Sequence, residues 1–451
     1  MSQRCAALSI RLMSIGLVVG GCHQPASDLV DRQLIGEVMM HSELSANLRA
    51  LAMPGGRLTG TPGAEQAQQF VADKLRAYGL RNVHLEPFNM QCWTVTRTQV
   101  TVLGDSPRVL EGAVALSKTI STPPEGVTAE LIDLGEAKEA DIAARGAELA
   151  GKFVLVREGR GTRIGRLRRA VEHGAAGLVV MSQPERAPVI GNGHTEPRPE
   201  PAVVIRHDQE VLDRLARGET VQVNIQLDTE NWDCQPSNVV GEIPGRGPLA
   251  REIVILSAHL DSWHLGEGAL DNGTGATAIL EAARVLANAG WQPRRTVRFV
   301  WFMAEELGLD GSEAYAQAHA DELDHVVAVV NVDMPGAPRV FGVFGHPEIE
   351  PFLQALRHDL AGYELEPKIA AWSWEGSDHT PFTQRGVCAL SLGGDLGPGV
   401  KNYHTPGDVY DVVDRRGTNQ SAAVLAVVVR RLADVPERPT TRRAPASEPS
   451  E

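Results

Sequence analysis

Between Ser257 and Ala276 the chain reads SAHLDSWHLGEGALDNGTGA, two histidines and three acidic residues within a glycine-rich loop. The loop follows the β-branched run REIVIL and precedes an apolar helical stretch, ATAILEAARVLANA. Similar chemistry recurs after later apolar runs: Glu305 and Glu306 follow VRFVWFMA, Asp333 follows VVAVVNV, and His404 lies in GVKNYHTPGD after VCALSL, with Asp378 and His379 just before that run. Taken singly, an acidic residue at a strand end is what a helix cap would show, and a loop histidine is what a solvated loop would show. Separate strand ends that each supply imidazole or carboxylate are harder to assign to chance. Imidazole with carboxylate suits zinc, with cobalt or manganese possible by the same ligand chemistry. Five such ligands exceed one tetrahedral catalytic ion that keeps a water position, and fit two ions sharing one carboxylate with a hydroxide between them. The absence of sulfur from the set points to a catalytic rather than a structural site.

The elements that must position these residues read as alternating strands and helices from Asn238 onward: EIVILSAHL, a helix over 275–289, TVRFVWFMA, a helix over 311–320, HVVAVVNVDM, RVFGVF, a helix over 347–361, VCALSLGG and a last helix over 417–434. Continuous apolar strands alternating with helices predict an α/β fold, a mostly parallel mixed sheet covered on both faces. In such a sheet ligands bind beyond the carboxyl ends of the strands, where the charged residues fall. Residues 28–106 carry two helical stretches separated by PGGRLTGTPG, then β-rich pieces, and are expected to belong to the same domain. Residues 107–228 form a shorter, self-contained pattern of strands and a few helices, expected as an inserted small β-rich domain. The catalytic part is then 229–434, and 435–451, PERPTTRRAPASEPSE with its preceding Val435, has no core residues and is expected to be disordered.

With 451 residues, 43% of them hydrophobic and 22% charged, the chain can bury a sizeable core. A formal net charge of -14 argues against a nucleic-acid partner. The one basic run, RGTRIGRLRR from Arg160 to Arg169, is expected to be a solvated helix face. At the amino terminus, MSQRCAALSIRLMSIGLVVGGC carries Arg4 and Arg11 and an apolar stretch too short to span a bilayer. It resembles a bacterial lipoprotein signal in which Cys22 becomes the lipidated first residue. His23 in the next position favours the outer membrane by resemblance to the sorting rules of Gram-negative bacteria. The mature chain is thus expected in the cell envelope or secreted, touching a membrane only through a lipid. Cys92 and Cys234 flank the insertion, either as a disulfide or as free buried thiols.

SAHLDSW, GALDNGTGA, FMAEELGLDGS, NVDM and YHTPGD, in this order, closely resemble the co-catalytic zinc exopeptidases of metallopeptidase family twenty-eight. That family includes leucyl-type aminopeptidases and the plasma glutamate carboxypeptidase. GGRLTGTPG, an insertion resembling a protease-associated domain, and SNVVGEIPG extend the likeness over nearly all of the mature chain. The resemblance implies a zinc-peptidase sheet and two zinc ions, His259 and Asp333 on one, Glu306 and His404 on the other, and Asp271 bridging. It implies Glu305 as general base and Asp261 as the carboxylate that orients His259. Asn272, a neutral amide, is expected to brace the turn.

The implied reaction is hydrolysis of the terminal bond of a peptide or dipeptide. Family frequency favours an aminopeptidase, whereas the wording of SAHLDSW and GALDNGTGA leans toward the glutamate carboxypeptidase branch. A glutaminyl-cyclase-like acyltransferase would need only one zinc, and an inactive binding module would show a lost ligand or a replaced Glu305. His264 stands where relatives often carry an acid, either near the metal entrance or in solvent. Trp372 and Trp374 are expected either as a hydrophobic cleft wall or as packing and loop anchors.

Overall fold

The computed structural model describes residues 26–157 and 163–443. The export signal with Cys22, Arg160 of the basic run, and residues 444–451 lie outside them. Among the described residues no helix is long and apolar enough to cross a membrane.

Two eight-stranded sheets organise the chain. The larger runs in the order Arg81–Pro87, Ser237–Ile243, Thr296–Phe302, Ile253–His259, Val326–Asn331, Ala389–Asp395, Ala337–Phe344, Lys368–Trp372. Its four consecutive central strands, from Thr296–Phe302 to Ala389–Asp395, are parallel, and antiparallel pairs flank them. Every residue of Ile253–His259 is buried, as a strand covered on both faces requires. Its alternation divides the core: Val254, Leu256 and Ala258 join the cluster containing helices Thr274–Asn288 and Arg415–Asp434, while Ile253 and Ile255 pack with Tyr315 and Phe382 opposite. The expected α/β fold, with a mixed sheet between helices, is what forms.

The smaller sheet is the inserted unit. Its order is Arg108–Val109, Met90–Val102, Gln222–Cys234, Val127–Asp133, Phe153–Arg157, Gly177–Met181, Ala202–Ile205, Val114–Ala115. Two boundaries differ from expectation. Met90–Val102 falls within the 28–106 expected for the peptidase part, yet it pairs with Gln222–Cys234 from Met90↔Cys234 to Val102↔Val223. The second sheet therefore begins at Met90 and ends at Cys234, beyond the expected 107 and 228. Its two longest strands act as an antiparallel stalk, closed at the base by a Cys92–Cys234 disulfide.

The carboxyl-terminal expectation also changes. Residues 435–443 are not a loose tail: Arg438 donates to the carbonyls of Asp324 and Val326, Thr440 is buried, and Arg442 pairs with Asp324. These bonds are made by backbone groups and arginines, so an apolar pattern could not announce them.

Candidate metal centre

The loop after Ile253–His259 turns at Gly268, where φ is +62° and an added Cβ would lie 2.1 Å from Ser262 Oγ. Only glycine fits there. The turn delivers Asp271 beneath the strand ends, next to a cis peptide between Asp271 and Asn272. Asn272 braces this turn, its Nδ2 donating to the Val332 carbonyl and its Oδ1 accepting from the Gly275 and Met334 amides.

Asp271 stands between the two histidines. Its Oδ1 lies 3.3 Å from His259 Nε2, and its Oδ2 lies 2.8 Å from His404 Nε2. Asp333 Oδ1 is 3.4 Å from His259 Nε2, and Glu306 Oε2 is 3.1 Å from His404 Nε2. Glu305 stands farther back, 4.0 Å from His259 Nε2. The donor atoms fall into two sets, His259 with Glu305 and Asp333, and His404 with Asp271 and Glu306, each within 4.8 Å internally. The structure thus brings together all five expected ligand residues and Glu305.

Both imidazoles are oriented alike. His259 Nδ1 donates to the Asp261 carbonyl at 3.2 Å, and His404 Nδ1 donates to the Ile190 carbonyl at 3.1 Å. A carbonyl only accepts, so each bond engages a proton on Nδ1 and turns Nε2 toward the carboxylates, the nitrogen that an ion would take. The Asp261 carboxylate, fully buried, accepts from the Glu305 and Glu306 amides and from Thr59 Oγ1, and its Oδ1 is 3.5 Å from His259 Nδ1. It ties the two strand ends that carry His259 and the Glu305–Glu306 pair.

The cluster is crowded with negative charge: His259 and His404 face Asp271, Glu305, Glu306 and Asp333. Burial, reinforced by Asp333 and Glu306, holds Glu305 well above the usual carboxylate range, and burial with Asp271 close by pushes Glu306 up to about 7. Burial alone would lower His404, but Glu306 and Asp271 outweigh it and push the imidazole up to about 10. His259 Nε2, Glu306 Oε1 and Asp333 Oδ1 are buried without a hydrogen-bond partner. Inward-facing imidazole and carboxylate donors with surplus negative charge fit divalent cations.

Two supports escaped the sequence reading. Arg57, buried within GGRLTGTPG, donates to the carbonyls of Leu51, Leu260, Glu267 and Gly268. Asp408, in YHTPGD, accepts from the Leu270 and Asp271 amides and so holds the backbone of Asp271. Their motifs were visible, but a side chain bonded to backbone leaves no spacing rule.

The remaining candidates lie around the centre. Burial pushes Asp378 up to about 7, while His379 Nε2 donates to the Trp374 carbonyl at 3.0 Å. Trp372 and Trp374 pack edge-on against Phe344 and anchor the loop; neither lines the cleft. His264 is half-buried beside Trp93, with ring centroids 6.1 Å apart, and is neither in open solvent nor on the cleft wall.

Over the centre opens a cleft of about 570 Å³, lined by Glu305, Glu306, Trp263, Tyr403 and His404. Arg163, Arg166 and Arg186 of the inserted unit also line it. The basic run is therefore not simply a solvated face: Arg166 is buried, and helix Arg163–Glu172 turns arginines toward the cleft.

Residues 238–429 match the model of peptidase family M28, and residues 127–214 match the PA domain. Carboxypeptidase Q of Bos taurus is 30% identical over 400 residues, 85% of this chain and 83% of the relative. A peptidase M28 precursor from Shewanella amazonensis has the same fold with a TM-score of 0.81 and 25% identity, over 93% of this chain and 99% of that one. The zinc aminopeptidase BSAP of Bacillus subtilis aligns at a TM-score of 0.68 and 23% identity, over 91% and 97%. The catalytic sheet, the inserted unit and the likeness along both place the chain in peptidase family M28, as a metallopeptidase.

Proposed function

We propose that the chain is a di-zinc exopeptidase in which His259 and Asp333 hold one ion, Glu306 and His404 the other, and Asp271 both, with Glu305 as general base. The observation that carries this reading is the placement of Asp271, one carboxylate oxygen toward each imidazole. Zinc bound there supplies polarisation of the scissile carbonyl and a water made nucleophilic near neutral pH. Glu305 stands behind the His259 side, close enough to take the proton of an attacking water and hand it to the leaving amine. A full donor set with Glu305 in place supports this reading over a single-zinc acyltransferase or an inactive module. Glu305→Gln is expected to lower kcat by about 10²- to 10⁴-fold while both zinc ions stay bound, read by metal analysis of the purified variant. Retained turnover would remove Glu305 from the role.

A second observation bears on which terminus is recognised. The chain is 30% identical to carboxypeptidase Q of Bos taurus over 85% of its length, and Arg163, Arg166 and Arg186 of the inserted unit are among the residues lining the cleft. This favours a carboxypeptidase or dipeptidase that reads a free carboxylate over the aminopeptidase. Free, N-acetylated and C-amidated forms of one dipeptide set, assayed with and without chelator, decide it. Loss on C-amidation with tolerance of N-acetylation is expected for a carboxypeptidase; the reverse pattern would restore the aminopeptidase.

A further inference from the structure

The two halves of the centre are supported differently. Around His259, the supporting groups come from the catalytic sheet and its loops: the Asp261 carbonyl and carboxylate, Thr59 behind it, and Asn272 under the turn. Around His404 and Glu306, where Asp261 holds only the Glu306 amide, a three-residue segment of the inserted unit, Ile190 to Asn192, supplies the further hold. The Ile190 amide donates to the His404 carbonyl at 3.0 Å, and its own carbonyl accepts from His404 Nδ1 at 3.1 Å. His404 is thereby gripped at backbone and ring by one residue, at a left-handed φ of +57° that a non-glycine residue does not adopt freely. Two positions on, Asn192 Nδ2 donates to the Glu306 carbonyl at 2.9 Å. Asn192 is fixed in turn by Ser117, whose Oγ donates to Asn192 Oδ1 at 2.6 Å and whose amide donates to the Gly191 carbonyl. Arg163 Nη1 donates to the Ile190 carbonyl at 3.1 Å, so that oxygen receives both a cleft-wall guanidinium and the imidazole.

We infer that the inserted unit is a structural part of the metal centre: Ile190–Asn192 positions the His404 and Glu306 donors, and the affinity of that one ion subsite depends on it. The inference rests on the two-ion reading above. Asn192 acts through the Glu306 backbone, so it is a positioning residue. The bond from His404 Nδ1 to Ile190 sets the tautomer that presents Nε2, the way an outer partner tunes a ligating imidazole. A domain that merely roofed the cleft would have no reason to bond both residues of one subsite and neither residue of the other.

The test is cobalt(II) titration of the metal-free full-length mature protein, followed by visible absorption and by competition with a graded chelator. Wild type is expected to take up two equivalents and His404→Ala one. Asn192→Asp, isosteric but without the donor toward Glu306, is expected to bind one equivalent as wild type does and the other about 10- to 100-fold more weakly. Peptidase activity of that variant is expected to return as free metal is raised, which a folding defect would not allow. Ser117→Ala, removing only the hydroxyl behind Asn192, is expected to weaken the same equivalent. Two equivalents of wild-type affinity in both variants would overturn the inference, as would equal weakening of both equivalents in Ser117→Ala. Uptake of a single equivalent by wild type, or two by His404→Ala, would instead overturn the two-ion reading, and the inference with it.

Discussion

Asp261 concentrates more of the centre's order than any ligand does. Its carboxylate accepts from the Glu305 amide at 3.2 Å, the Glu306 amide at 3.4 Å and Thr59 Oγ1 at 3.1 Å, and Thr59 Oγ1 in turn accepts from the Ala304 amide. Only an acceptor-only group satisfies three converging donors. Asp261→Asn keeps the shape but turns an NH₂ toward a backbone N–H, so the Glu305–Glu306 turn loses its template. The expected result is an affinity for metal about 10- to 100-fold lower with the fold retained, read by metal content after dialysis against graded chelator alongside circular dichroism. Wild-type metal retention would confine Asp261 to packing. The proposed ligand residues were legible because each sits at the end of an apolar strand or in the loop that follows one, as Asp271 does after Ile253–His259 and His404 after Ala389–Asp395, positions the parallel pattern predicts. Ile190 and Asn192 were not, because a backbone carbonyl and a carboxamide reaching across 214 and 114 residues leave no trace in spacing.

At the scale of elements, the edge of the large sheet is fastened by a charged knot. His319, after helix Asp310–Ala318, reaches Glu86 on edge strand Arg81–Pro87 through Nε2 at 3.1 Å and Glu322 through Nδ1 at 3.0 Å, with its ring stacked on Tyr315. His84 bonds the same Glu86, and Arg298 pairs with both Glu242 and Glu322. The hydrogen bond to Glu86 raises His319 above its ordinary 6.5. Burial would raise Glu86, but His319 and His84 hold it below its ordinary 4.5. The raised imidazole contributes stability that is complete below 6.5 and lost as pH rises through its folded value. The lowered carboxyl contributes stability present above 4.5 and lost on acidification. Both contributions coexist between about pH 4.5 and 6.5. The Tm deficit of His319→Gln is therefore expected to be largest near the middle of that window and to shrink at alkaline pH. A deficit constant from pH 5 to pH 9 would assign His319 a packing role only. None of this knot was read from the sequence, since His319 and Glu86 lie 233 residues apart and each looks like an ordinary surface residue. Element types fared better than boundaries: the strand and helix pattern from Asn238 onward was legible, whereas the pairing of Met90–Val102 with Gln222–Cys234 was not, because alternation does not reveal a strand's partner.

At the scale of the molecule, the metal centre lies where two units meet, so its geometry depends on how firmly they are joined. The joint is the stalk of Met90–Val102 and Gln222–Cys234, and the Cys92–Cys234 disulfide closes its base across a sequence separation of 142. Beyond the stalk, Ile190–Asn192 touches the catalytic unit at His404 and Glu306. A loop of this length, once open, restores much conformational freedom to the unfolded chain, so replacing both cysteines by alanine is expected to lower stability by about 3–5 kcal/mol, measured by denaturant unfolding. A second consequence separates the joint from the global fold. On the two-ion proposal, if the disulfide also holds the inserted unit against the centre, the double variant under native conditions gives up the His404-side ion to chelator faster than wild type, while the His259-side ion exchanges at the wild-type rate. Equal exchange of both ions would mean that the paired strands alone keep the two units in register and that the disulfide acts only on the unfolded chain.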